Sequence, residues 1–89
     1  MISPILNLGY GNVILIDKVV AVVNINSAPI KKMIAAAREN SLLYDVSQGR
    51  KSRSAVITRD NQIFLTAIQT ETLTARIFGD TSANIDTEE

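Results

Sequence analysis

The chain contains no cysteine, no histidine and no tryptophan. Without thiols there is no disulfide framework and no thiolate metal site. With imidazole missing as well, the usual ligands of a transition metal are gone, and no metal site is expected. The commonest general base at neutral pH is absent for the same reason. No glycine-rich phosphate fingerprint is present, and Asp17, Asp45 and Asp60 stand singly in different segments. No catalytic residue and no cofactor is therefore assigned. A Ser–Lys pairing stays chemically open, but nothing favours it, and an enzyme is the weakest reading. No apolar run approaches the roughly 18 residues needed to span a bilayer. Met1-Ile2-Ser3-Pro4 lacks the charged segment that opens a secretory leader. The expectation is a cytoplasmic protein with no membrane partner.

Aromatic residues are also scarce, at 4% of 89 residues, while hydrophobic residues make up 46%. The apolar content is thus almost wholly aliphatic. One domain of this size buries only about 60–65% of its unfolded surface. Such an aliphatic surplus suits a second subunit, so a homo-oligomer is expected.

The formal net charge is zero, but it is unevenly spread. All nine Lys and Arg lie between Lys18 and Arg76, whereas four of the nine Asp and Glu follow Gly79. Residues 1–79 thus carry nine cations against five carboxylates, a net of +4. They are read as a single α+β domain. Residues 80–89 have no apolar periodicity and read as a disordered acidic tail that serves solubility.

The densest charge is Gly49-Arg50-Lys51-Ser52-Arg53, three cations within four residues and no acid among them. A β-branched run, Ser54 to Thr58, follows directly and reads as a strand. A basic turn fixed to a sheet edge suits a polymer of regularly spaced anions, and nucleic-acid backbone is the commonest such polymer. The plain alternative is a solvated loop that aids solubility.

Along the chain, Ile5–Leu8 and Val13–Ile16 read as strands around a tight turn at Gly9-Tyr10-Gly11-Asn12. Tyr10 is expected at an interface rather than stacked on a base. Val19–Val23 is apolar at every position and reads as a central strand covered on both faces, with Lys18 at its start. Ser27 is a helix cap, with Pro29 in the first turn of a helix from about Ala28 to Glu39. Ile30, Met33, Ile34 and Ala37 fall at helical spacing and form its expected buried stripe. Lys31 and Lys32 read as a solvated face. Leu42–Val46 is a short strand. Arg59-Asp60-Asn61-Gln62 joins Ser54–Thr58 to Ile63–Ile68 as a hairpin. Thr70 is expected to cap a second helix, Glu71 to Phe78, with Gly79 ending it. The order is β-β-β-α-β-β-β-α, an α+β fold with a small, mostly antiparallel sheet and two helices.

Asn7-Leu8-Gly9-Tyr10-Gly11-Asn12, Ser27-Ala28-Pro29-Ile30-Lys31-Lys32-Met33-Ile34 with Ala37-Arg38, Asp45, Gly49 to Arg53, and Gln69 to Leu73 with Arg76 occur here in order. In that order and spacing they resemble the RemA family of bacterial extracellular-matrix regulators, over about Ile5 to Ile77. The resemblance implies a cytoplasmic DNA-binding protein that forms a homo-oligomeric ring and regulates transcription of matrix and biofilm genes. It implies double-stranded DNA as partner, contacted by Lys18, Arg50, Lys51 and Arg53. The family's best-known members carry arginine at the positions of Lys18 and Lys51. Lysine keeps the charge but not the planar five-donor fork, which favours phosphate contact over bidentate base contact at those positions.

Two readings compete with DNA binding. An RNA-binding module would interleave aromatics with cations, and Tyr10, Tyr44, Phe64 and Phe78 all lie outside the basic turn. A ring or scaffold without nucleic acid is supported by the aliphatic surplus and the zero net charge.

Overall fold

The computed structural model of the protein describes residues 5–78. The expected acidic tail and the helix stop at Gly79 lie outside them. The elements follow the expected order: β1 (Ile5–Gly9), β2 (Asn12–Leu15), β3 (Val19–Asn24), α1 (Ala28–Glu39), β4 (Leu43–Asp45), β5 (Ser54–Thr58), β6 (Ile63–Thr66) and α2 (Thr70–Ile77). A short 3-10 turn, Ile16–Lys18, leads into β3.

The first hairpin follows from its turn. Tyr10 and Gly11 both have positive φ, at 56° and 82°, as a type I′ hairpin requires. The Asn12 side-chain amide donates to the Gly9 carbonyl at 3.0 Å and closes it. β1 and β2 pair as a separate two-stranded sheet, with Leu6 opposite Ile14 and Asn7 opposite Val13.

The remaining strands form one sheet in the order β3-β5-β6-β4. β3–β5 and β5–β6 are antiparallel, and β4–β6 is parallel. β5 is the doubly covered strand. Val56 joins a cluster with Leu6, Leu8, Ile68 and Leu73, on the side of the hairpin and α2. Ala55 and Ile57 pack with Ala37, Ile63 and Leu65, on the side of α1. The architecture is therefore three layers: hairpin and α2, then sheet, then α1.

The expectation of a central β3 is corrected here. β3 lies at the sheet edge. Its unbroken apolar run arises because Val22 faces the hairpin layer and Val23 faces the α1 layer. Two-sided apolarity reports layers above and below, not neighbours on both edges. Its register shifts between Val19 and Ala21, and Val20 at that irregularity is 63% exposed.

α1 begins as expected, with Ser27 Oγ accepting from the Ile30 amide. Its end is a Schellman closure. The Leu42 amide reaches the Ala37 carbonyl and the Ser41 amide reaches that of Arg38, with Ser41 left-handed at φ 62°. The expected buried stripe is only partly buried. Ala37 is the buried residue of α1, Ile30 and Ile34 are half-buried, and Met33 is exposed.

α2 starts one residue early. Gln69 holds the cap position and makes no side-chain cap. Thr70 does not cap because it is already the first helical residue, and its hydroxyl lies 2.9 Å from Ser54 Oγ. No helix among the described residues is long and apolar enough to cross a membrane.

Candidate functional site

β4 and β6 run parallel, with β5 on the far side of β6, so the chain between β4 and β5 must cross the C-terminal end of β6. That crossing is the basic turn. It is fastened at both ends to β6: the Val46 amide donates to the Leu65 carbonyl at 2.9 Å, and the Arg53 amide to the Thr66 carbonyl at 2.8 Å. Between these anchors the Asp45 carboxylate accepts from both the amide and the hydroxyl of buried Ser47. The Arg50 amide returns to the Ser47 carbonyl at 3.0 Å. Gln48 and Gly49 at the tip have φ of 57° and 79°. Two successive left-handed residues make this a I′-type reversal, a conformation that glycine adopts without strain and glutamine does not.

The result is a rigid strap that displays Arg50, Lys51 and Arg53, all exposed. Among the described residues no carboxylate lies within ion-pair distance of these three side chains. They surround an open cavity of about 310 Å³ floored by Ala67. The Arg50 guanidinium also lies over the Tyr10 ring, 6.0 Å from its centroid, which links the strap to the first hairpin. That contact places Tyr10 beside a cation of its own chain. Its hydroxyl is buried without a hydrogen-bond partner.

Lys18 is elsewhere. β3 and β5 pair with Asn24 opposite Ser54 and Val19 opposite Thr58. Lys18 thus sits beyond the far end of β5 from Arg53, level with Arg59 and six residue steps away, or about 20 Å of strand. A backbone hydrogen bond joins it to another cationic residue, Arg59, whose amide donates to the Lys18 carbonyl at 2.9 Å. Both are exposed. The structure therefore gathers Arg50, Lys51 and Arg53 at one end of the sheet, and Lys18 with Arg59 at the other. Sequence reasoning missed Arg59 because its placement depends on the β3–β5 register.

The profile of the family described as RemA-like, extracellular matrix regulatory protein A-like, matches residues 5–77. The chain belongs to the RemA-like family. Its relatives include a protein of Kosmotoga olearia, 47% identical over 72 residues that cover 81% of this chain and 73% of that one. A Fervidobacterium nodosum protein is 49% identical over 72 residues, covering 81% and 77% of the two chains. One from Clostridium novyi is 38% identical over 86 residues, covering 97% and 96%. Each carries the name "Putative regulatory protein". The RemA-like match spans both sheets, both helices and the whole basic strap, so the site lies inside the shared domain.

Proposed function

We propose that this RemA-like protein is a regulatory, non-enzymatic DNA-binding protein. In this reading it grips the phosphates of duplex DNA with basic straps repeated around a homo-oligomeric ring, in the cytoplasm, and controls matrix or biofilm genes. The observation that carries the reading is the strap itself: three exposed cations, free of carboxylate partners among the described residues, on a loop pinned at both ends to β6. A pinned loop loses little further entropy when it engages a ligand, which favours binding by preorganisation. The regulatory role is supported by family membership and by the relatives' shared name.

One strap offers few phosphate contacts, and each neutralised phosphate contributes only about −0.9 to the slope of log K against log salt. Repetition in an assembly supplies avidity without a new kind of contact. Exposed Ile5, Val13, Leu15 and Val20 are apolar surface for such an assembly. Lys18 and Arg59 form a second cationic point that the same duplex reaches only by running past the β3–β5 pair or across a subunit boundary. A duplex bent along such a surface is selected by deformability more than by base edges.

The deciding experiment is duplex retardation, with single-stranded RNA as competitor, beside light scattering of the protein at two salt concentrations. Salt-dependent retardation by an oligomer, resisted by RNA only weakly, is the expected result. A monomer, or a protein indifferent to duplex at low salt, defeats the proposal. Preference for the RNA transfers the strap to the RNA-binding reading.

A further inference from the structure

The basic strap borders two cavities with different chemistry. The one already described is lined by Arg50, Lys51 and Arg53, without a carboxylate. Lys51 and Arg53 also line a second cavity of about 190 Å³, shared with Asn24 at the end of β3, with Asn26 beyond it, and with Thr70 and Glu71 of α2.

This second cavity is polarised. Its strap wall carries two cations. The Asn24 side-chain oxygen is occupied by the Asn26 amide at 2.9 Å, which leaves its NH₂ as the group open to a ligand. The part of the lining from α2 accepts. Ser54 Oγ donates its proton to the Ile68 carbonyl at 2.7 Å, so Thr70 is the donor in the 2.9 Å contact between the two hydroxyls. Thr70 Oγ1 then faces a ligand with lone pairs only. Glu71 adds an ionised carboxylate, an acceptor at every position. No ion pair among the described residues joins Glu71 to Lys51 or Arg53.

Duplex backbone does not suit this recess. Its phosphates meet Glu71 as like charge, and the deoxyribose between them has no hydroxyl to give. A small phosphate ester with free hydroxyls fits both walls. Its phosphate faces Lys51 and Arg53, and its hydroxyls face Glu71 and Thr70. The cavity, about 190 Å³, is open to solvent, so a phosphate and the neighbouring hydroxyls can seat in it while the rest of the ester stays solvated.

We propose that this cavity is a binding site for a small phosphorylated polyol of sugar-phosphate size. Because Lys51 and Arg53 line both cavities, an occupant of the second cavity competes with duplex for the same cations. The competition rests on the proposed DNA binding, whereas the site itself does not.

Calorimetric titration of the full chain with ribose 5-phosphate, and separately with inorganic phosphate, tests the site. Saturable binding of ribose 5-phosphate with Kd below about 1 mM is expected, tighter than that of inorganic phosphate. Glu71→Gln is expected to lower the ratio of the two affinities about ten-fold, because it removes a charged acceptor for the hydroxyls. The ratio cancels any general gain in anion affinity from the lost carboxylate. Glu71 is exposed, so the variant keeps the fold, which circular dichroism checks. Lys51→Ala is expected to weaken both ligands. Absence of saturable binding, equal affinity for the two ligands, or an unchanged ratio in Glu71→Gln each overturns the proposal. Saturable binding by a protein that never retards duplex leaves this site standing and defeats the DNA reading. Retardation without saturable binding does the reverse.

Discussion

Arg50, Lys51 and Arg53 differ in what holds them. The Arg53 backbone is pinned to β6, the Arg50 backbone closes the tip reversal, and the Arg50 side chain leans on Tyr10. Lys51 has none of these restraints and lines both cavities. In the proposed duplex complex, truncating Arg50 or Lys51 to alanine would leave one phosphate per strap without its cation. Each variant is expected to weaken duplex binding uniformly across sequences. The salt slope should flatten by about 0.9 for every phosphate no longer neutralised, read from retardation at several salt concentrations. A buried hydroxyl makes a different kind of prediction. Thr66 is fully buried, donates to the Leu8 carbonyl at 2.8 Å and accepts from the Ile68 amide at 3.2 Å. Thr66→Val strands a buried carbonyl and a buried amide, and is expected to cost about 2 kcal/mol in chemical denaturation. The loss falls on the joint between the first hairpin and the main sheet.

Among the elements, the strap owes its shape to Asp45. Its carboxylate holds both polar groups of Ser47, and Ser47 in turn accepts from Arg50. Asp45→Ala is expected to leave the sheet folded while freeing the loop. Tryptic cleavage after Arg50 and Lys51 should speed up several-fold, because protease access follows local opening. Duplex affinity should fall even though no cation is removed. Unchanged proteolysis would show that the two β6 anchors suffice without the carboxylate. The helices teach a related lesson. The capped start of α1 was legible from Ser27 and Pro29. Thr70 looked equally like a cap, but the helix takes it in as its first residue, behind Gln69, and its hydroxyl meets Ser54.

For the whole molecule, the question is what covers the apolar surface left over. In the first hairpin, Leu6 and Ile14 face the core, while Ile5, Val13 and Leu15 on the opposite face are all exposed, Val13 at 55%. A half-solvated hairpin ordinarily alternates apolar with polar residues, and this one carries apolar residues on both faces. Exposed Val20 at the β3 edge and Met33 on α1 add to the surplus. The double variant Val13→Lys, Leu15→Lys is expected to lower the assembled mass in light scattering without changing the circular dichroism. Exposed substitutions of this kind usually alter protomer stability by only about 0.5 kcal/mol. An unchanged mass would remove the hairpin from any subunit contact.

Composition and order alone determined the α+β class, the β-β-β-α-β-β-β-α succession and the basic turn ahead of β5, because periodicity, caps and turn residues are local properties. They also pointed to the family, through the order of short segments that the match over residues 5–77 bears out. Tertiary structure decided which strands are neighbours. It moved β3 from the centre to the edge, set Lys18 apart from the strap and beside Arg59, and left Met33 uncovered. It also gave the strap a second cavity by bringing Asn24, Asn26 and Glu71 to Lys51 and Arg53. These are consequences of strand register and layer order, which depend on contacts between residues far apart in the chain and leave no periodic trace within any one segment.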